Sequence, residues 1–179
     1  MTSVPVFRPT VRREAMDSVL GCLVRDTLGP GALGSELADS VASALGMAGG
    51  VALADYRKAL SCALSALAIP AGENVLCSAL ASTAHRDAIE DAGMVPMVVD
   101  VSSDSGVMDL HLADEVRGMA RAVLIDHTLG FVPNLTHVLE WDLPTIEEMT
   151  CSLGGYDGDK AQGPRADIAL SLIHISEPT

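Results

Sequence analysis

Acidic and histidine side chains follow several short apolar segments of this chain directly. Glu147 and Glu148 end one such segment, and Asp126 and His127 end an earlier one. A carboxylate in that position can act as a base or hold a cationic heterocycle, and a histidine beside an aspartate is a candidate pocket residue. Solvated carboxylates and backbone-bonded histidines are also common at such positions, so spacing alone leaves both interpretations open.

Residues 55–58 form a second candidate site, because they follow an apolar segment and open a predicted helix. Phosphates bind at helix N-termini through backbone N–H groups and the helix dipole. Arg57 and Lys58 could add positive charge, whereas Asp55 would repel a phosphate and no small residue lets the backbone approach it. The alternative is a helix N-terminus that Asp55 caps, with two solvated basic side chains.

The sequence lacks the motifs or the motif context that several other kinds of site need. The GxGxxG pattern at 29–34 follows a predicted helix, so it predicts an interhelical loop and weakens the hypothesis of a simple nucleotide-binding domain. No Gly-x-Ser-x-Gly motif is present, and the histidines share no metal-ligand spacing, so we expect no metal site. The four cysteines form no CxxC and are predicted to be reduced, buried thiols.

The apolar segments that must position these side chains alternate with amphipathic helical ones. This alternation is typical of α/β proteins with parallel strands, in which ligands lie beyond the carboxyl ends of the strands. We predict helices over about 12–25, 35–45, 56–68, 82–91, 112–119 and 135–141, with Ser35 capping the second. The predicted strands are 51–54, 74–77, 96–101, 122–126, 144–147 and 168–171.

Length and charge limit the class of protein. A chain of 179 residues is long enough for one domain with a sizeable core. The net charge of −13 argues against nucleic-acid binding and against docking on anionic membranes. No uninterrupted apolar stretch reaches the length of about 18 residues that a membrane span needs, so the sequence predicts none. The N-terminus lacks the apolar region of a secretory signal. We therefore expect a cytoplasmic protein.

Several stretches also occur in the order and spacing of one enzyme family. They include LGP at 28–30, ALG at 44–46, AGENV at 71–75, PMVVDV at 96–101, AVLIDH at 122–127 and LPTIEE at 143–148. Together they resemble the DegT/DnrJ/EryC1/StrS family of sugar aminotransferases, which depend on pyridoxal 5′-phosphate (PLP) and have fold type I. The resemblance implies a three-layer sandwich with a mostly parallel central sheet, as the N-terminal part of a large domain.

The resemblance also implies a cofactor site. Tyr56 and Arg57 match part of the Ser-Gly-Thr that grips the cofactor phosphate, and Ser82 matches the aromatic residue that stacks on the pyridine. Glu148 matches the aspartate that pairs with the ring nitrogen, and His127 matches the histidine after the fourth strand. These five residues are the expected cofactor-binding set, although Ser82 cannot stack and Glu148 is one methylene longer than aspartate.

The family reaction transfers an amino group from glutamate or glutamine to a keto-sugar nucleotide, usually in a homodimer. The Schiff-base lysine of the family would lie beyond Ser171, and neither Lys58 nor Lys160 matches it. We therefore assign no catalytic residue to this chain and expect it to be inactive in transamination. The alternative is a noncatalytic paralogue that keeps the fold for binding or regulation.

The expected domain organisation follows from the same resemblance. Residues 1–170 are predicted to form an incomplete large domain, with N-terminal helices over 1–46 and βα units over 51–170. Residues 171–179 complete no further βα unit, and we expect them to be a non-native or disordered tail.

Overall fold

The fold is seen in a computed structural model that describes residues 13–27, 29, 31–157, 159–161 and 165–172. The described residues form six α-helices, of which the first three precede all strands: α1 (Arg13–Val24), α2 (Ala32–Leu45), α3 (Tyr56–Ala66), α4 (Thr83–Asp91), α5 (Leu110–Val116) and α6 (Leu135–Leu139). The strands are β1 (Asn74–Ser78), β2 (Val95–Val99), β3 (Ala122–Asp126), β4 (Thr145–Glu148), β5 (Tyr156–Asp157), β6 (Lys160–Ala161) and β7 (Ile168–Leu170).

Five of these strands form one parallel sheet in the order β2-β1-β3-β4-β7. In its register Asp126 at the end of β3 lies beside Glu148 at the end of β4. β5 and β6 form a separate antiparallel hairpin between β4 and β7. The α/β class and the parallel sheet are confirmed.

The sheet is covered on both faces, which makes the molecule a three-layer sandwich. Along β3, Ala122 and Leu124 pack into one core with α3 and α4, whereas Val123 and Ile125 pack into a second core with α5 and α6. Strands buried on both faces read as continuous apolar runs, which explains why β1 and β3 were recognisable in the sequence.

Capping residues decide where several helices begin and end. The Asp55 side chain accepts a hydrogen bond from the backbone N–H of Lys58 and caps α3, which agrees with the second of the two interpretations of residues 55–58. Gly46 ends α2 in the left-handed conformation that glycine adopts without strain. The prediction that Ser35 caps α2 is wrong, since the helix begins at Ala32 after Gly31.

The predicted strand 51–54 is the main error in the fold. This segment has no regular secondary structure, and Val51 is 83% exposed. It follows two glycines and contains two alanines, and a short apolar run of this composition does not by itself specify a strand. The chain therefore enters α3 from an exposed loop.

Smaller differences concern element ends and cysteines. β4 begins after Pro144 rather than at it, because proline has no N–H to give to the ladder. Among the cysteines only Cys77 is buried, whereas Cys62 and Cys151 are exposed, so the expectation of four buried thiols is wrong. The predicted tail extends to residue 179 and lies outside the described residues from 173 onward. No helix in the described part of the chain has the length and apolarity needed to cross a membrane.

Candidate functional site

The sheet reverses its winding direction between β1 and β3. The chain passes from β1 through α4 to β2 on one side, and then returns through α5 to place β3 on the other side of β1. In open parallel sheets the loops after the two strands at such a switch point diverge and leave a crevice beyond their carboxyl ends. A ligand site is therefore expected after β1 and β3.

A pocket of about 350 Å³ lies at this position. Its lining comes from the segments that follow β1, β3 and β4 and from the start of α3 and α4. The polar side chains that the sequence and the geometry single out in it are Tyr56, Ser82, His85, Asp126, His127 and Glu148.

Glu148 presents a buried carboxylate at the end of β4. The residue is only 6% exposed. One carboxylate oxygen, Oε1, accepts hydrogen bonds from the backbone N–H of Thr150, at 3.0 Å, and from the Thr150 hydroxyl. These bonds hold the carboxylate in place within the pocket.

His127 lies at the end of β3 against a second buried acid. Its Nε2 atom is 3.3 Å from Oε1 of Glu147, and both side chains are fully buried. Its Nδ1 atom is 2.5 Å from the Ser152 hydroxyl. Contacts at both ring nitrogens hold the imidazole in one orientation.

A chain of polar contacts crosses the pocket from α3 to α4. The Tyr56 hydroxyl lies 3.1 Å from Nε2 of His85, and Nδ1 of His85 lies 2.9 Å from the Ser82 hydroxyl. Burial, together with the charges of Glu148 and Asp126, raises the pKa of the Tyr56 phenol far above its usual value. The Tyr56 phenol is therefore neutral at physiological pH.

Asp126 is the second carboxylate that lines the pocket, and it is 6% exposed. Its Oδ2 atom accepts a hydrogen bond of 2.6 Å from the Thr128 hydroxyl. Its Oδ1 atom is buried and has no hydrogen-bond partner among the described residues. Burial and the charge of Asp126 raise the pKa of the neighbouring Cys77 thiol to about 11.

Arg57 lies apart from this pocket. Its guanidinium group forms a two-point ion pair with Asp91 on α4, with N–O distances of 2.5 and 2.8 Å, and it also contacts Asp87. This pairing lowers the pKa of the Asp91 carboxyl. Of the five expected cofactor residues, the structure thus brings together Tyr56, Ser82, His127 and Glu148, and it leaves Arg57 outside.

His85 and Thr150 are among the pocket residues that the sequence does not indicate. The spacing of the histidines gives His85 no role, and its partner Tyr56 is 29 residues away. The local sequence does place His85 three residues after Ser82, the N-cap of α4, and side chains three residues apart at the start of a helix lie close together. Thr150 had no signal of its own beyond lying two residues after Glu148.

A sequence model described as the DegT/DnrJ/EryC1/StrS aminotransferase family matches residues 9–171. The chain belongs to this family. No curated protein matches the chain by sequence. The match covers the helices, the parallel sheet and all residues of the pocket except Leu172.

Solved structures of this family's enzymes share the fold. A protein described as a sugar aminotransferase, Spr1654 from Streptococcus pneumoniae in its PLP form, is 19% identical with a TM-score of 0.88 over 97% of this chain and 49% of its own. TlmJ, an aminotransferase from Streptoalloteichus hindustanus, is 21% identical with a TM-score of 0.82 over 94% of this chain and 48% of its own.

A third similar structure is that of a dehydratase and not of an aminotransferase. The E. coli GDP-4-keto-6-deoxy-D-mannose-3-dehydratase, with hydrated PLP bound, is 17% identical with a TM-score of 0.83 over 91% of this chain and 45% of its own. This chain therefore spans about half the length of these structures. At such low identity the similarity concerns the fold.

The pocket can be tested against the cofactor that the family uses. Glu148 supplies a buried, hydrogen-bonded carboxylate that fits a protonated pyridine nitrogen. The phosphate end does not fit in the same way, since the Asp55 carboxylate already accepts the Lys58 N–H at the start of α3 and Arg57 is held by Asp91. The described residues therefore fit the pyridine ring of PLP and not its phosphate.

Proposed function

We propose that this chain is part of an aminotransferase-type protein that binds a pyridoxal-type ring at Glu148. The reaction carried over from the family is transfer of an amino group from glutamate or glutamine to a keto-sugar nucleotide. The observation that supports the proposal is the buried Glu148 carboxylate, at the family's ring-nitrogen position and in a pocket at the switch point of the sheet. A homodimer in the cytoplasm is the setting that the family implies.

Each pocket side chain has a distinct task in this proposal. Glu148 holds the ring nitrogen in its protonated state, and Thr150 orients the Glu148 carboxylate. His127, fixed by Glu147 and Ser152, forms the rigid floor beside the ring. A pyridoxal-type ring, when bound, supplies the electron sink for amino-group transfer. Tyr56 and His85 line the same pocket and contact each other.

The ring-binding role is tested by titrating chain 1–179 with pyridoxine, a pyridoxal-type ring without phosphate or amine. Glu148→Gln removes the charge and keeps the shape, so we expect affinity to fall about tenfold, the loss typical of a charge-assisted hydrogen bond. Glu140→Gln, an exposed change after α6, is the matched control. Equal pyridoxine affinity in the Glu148 variant and the unaltered chain would refute the proposal.

Amino-group transfer by chain 1–179 itself is not expected. Lys58 is exposed at the start of α3 and is not among the described residues that line the pocket. After incubation with PLP and borohydride, mass spectrometry should find no pocket-dependent adduct on either lysine. An adduct that forms at one lysine and is abolished by Glu148→Gln would show that this expectation is wrong.

A noncatalytic protein that uses the same pocket for binding is the second candidate. The altered phosphate end favours it, because Asp55 places a negative charge where a phosphate would lie and Ser82 offers no stacking surface. The two candidates differ in one measurement on a longer form of the protein. Turnover of a keto-sugar nucleotide with glutamate supports the enzyme, and ligand binding without turnover supports the binding protein.

A further inference from the structure

We propose that the pocket binds a small organic cation without a phosphate group, whose ammonium group pairs with the buried carboxylate of Asp126. The ligand class is an aromatic or heteroaromatic ring that carries a primary amine. The proposal rests on the proposed function in one respect, because it keeps Glu148 as the partner of a ring nitrogen. Its new element is the second acidic position, Asp126.

The unpaired oxygen of Asp126 is the first observation. Asp126 lines the pocket, is 94% buried, and has an Oδ1 atom without a hydrogen-bond partner among the described residues. A buried carboxylate oxygen in this state has lost its water and gained nothing in exchange. A ligand ammonium group beside the Asp126 carboxylate would supply the opposite charge that the described lining lacks.

The charge of the pocket is the second observation. Asp126 and Glu148 both line it, and the described lining contains no lysine or arginine. Both charges act on Tyr56 and Cys151. Burial is the largest cause of the raised pKa of these two groups, and the charges of Glu148 and Asp126 raise it further. The pocket therefore attracts cations and repels anions such as a phosphate ester.

The walls define the rest of the ligand. Leu80 and Leu129 contribute apolar surface beside the polar groups, and Tyr56 contributes an aromatic ring. A volume of about 350 Å³ is of the size that takes one small ring with short substituents. The basic group that a phosphate would need, Arg57, is engaged outside the pocket by Asp91. A compact, unphosphorylated amine fits all of these features.

Three related probes test the proposal on chain 1–179 by isothermal titration. Pyridoxamine carries the ring and the ammonium group, pyridoxine carries a hydroxyl in place of the amine, and pyridoxamine 5′-phosphate adds the phosphate. We expect pyridoxamine to bind at least about tenfold more tightly than pyridoxine, and the phosphate ester to bind more weakly than pyridoxamine. This comparison needs no variant.

Variants then locate the ammonium group. Asp126→Asn should weaken pyridoxamine about tenfold and leave pyridoxine unchanged, whereas Glu148→Gln should weaken both. Asp142→Asn is the matched control, because Asp142 is an exposed aspartate before β4, at the opposite end of that strand from the pocket. Circular dichroism and thermal melting establish that each variant is folded.

The outcomes separate this inference from the proposed function. Equal affinity for pyridoxamine and pyridoxine, tighter binding of the phosphate ester, or an Asp126→Asn variant that binds pyridoxamine normally would each overturn the cation site. Failure of the proposed function has another signature, namely that Glu148→Gln changes neither ligand while Asp126→Asn still weakens pyridoxamine.

Discussion

Oε1 of Glu147 lies 3.3 Å from Nε2 of His127, and neither side chain is exposed to solvent. The contact joins the residue after β3 to β4 directly beneath the pocket. The opposite ring nitrogen of His127 is within 2.5 Å of the Ser152 hydroxyl. Glu147 thus has a structural task that is distinct from the ligand-facing task of its neighbour Glu148.

Removal of the Glu147 carboxylate should destabilise the fold. Glu147→Ala removes the buried carboxylate that contacts the His127 ring at 3.3 Å, and the loss of a buried polar contact of this kind costs about 1–3 kcal/mol. Urea denaturation should show a loss of that size in the free energy of unfolding. Glu140→Ala, at an exposed position, should stay within about 0.5 kcal/mol. A similar small loss in both variants would mean that the Glu147–His127 contact does not stabilise the fold.

The part of the fold that the sequence predicts well is its fully buried centre. β1 and β3 are continuous apolar runs because helices cover both faces of the sheet. Such runs can be recognised from the sequence alone. The segment 51–54 has the same apolar character but is exposed, since no neighbouring strand pairs with it. An apolar segment is buried only where a neighbouring strand or helix packs against it, and the apolar character of the segment does not show whether such a neighbour exists.

The site divides in the same way. The positions of Glu148 and His127 were predictable, because one ends its strand and the other follows its strand at the same edge of the sheet. The direction of the Arg57 side chain was not, because it depends on Asp91, which lies 34 residues away on α4. The role of His85 was unpredictable for the same reason, because its contact with Tyr56 joins α4 to α3. Contacts of this kind depend on tertiary packing and leave no local pattern.

Arg57 and Asp91 allow a pH-dependent test of the position of Arg57. Because Arg57 lowers the pKa of folded Asp91, the pair stabilises the fold above the ordinary aspartate pKa of about 3.9 and loses this effect as pH falls through the lower, folded value. Arg57→Ala should raise the Asp91 pKa in an NMR titration. Its stability deficit at neutral pH should vanish in acid.

The same variant tests whether Arg57 reaches the ligand. Since Arg57 is exposed and paired with Asp91, Arg57→Ala should leave pyridoxine and pyridoxamine affinity unchanged. Asp91→Ala is the matched change on the other side of the ion pair and should behave in the same way. Weaker ligand binding in the Arg57 variant alone would place its guanidinium group in the pocket of the bound protein.

Tyr56 should remain un-ionised well above the usual tyrosine range. Burial is the main cause, followed by the charges of Glu148 and Asp126. A raised folded pKa means that the resulting stabilisation is complete below about pH 10, the ordinary tyrosine value, and is lost as the pH rises further. The phenolate absorbance of the folded chain should therefore match that of Tyr56→Phe until alkaline unfolding begins. A separate tyrosine titration near pH 10 that disappears in Tyr56→Phe would contradict this.

Cys151 offers a direct readout of the negative charge in the pocket. Burial, Glu148 and Asp126 together raise the pKa of its thiol. Because the thiolate is the reactive form, removal of either carboxylate should lower this pKa and speed alkylation at about pH 8. Asp126→Asn and Glu148→Gln should each show the increase when rates are followed by mass spectrometry.

Two internal references make this measurement specific. Cys62 is an exposed thiol on α3 and should react at the same rate in every variant. Asp142→Asn removes an exposed carboxylate before β4, at the end of that strand opposite the pocket, and should leave the Cys151 rate unchanged. If Cys151 reacted equally in all variants, the two carboxylates would not act together on the pocket. A rate that rises only for Cys151, and only when Asp126 or Glu148 is neutralised, would establish the field that a cationic ligand requires.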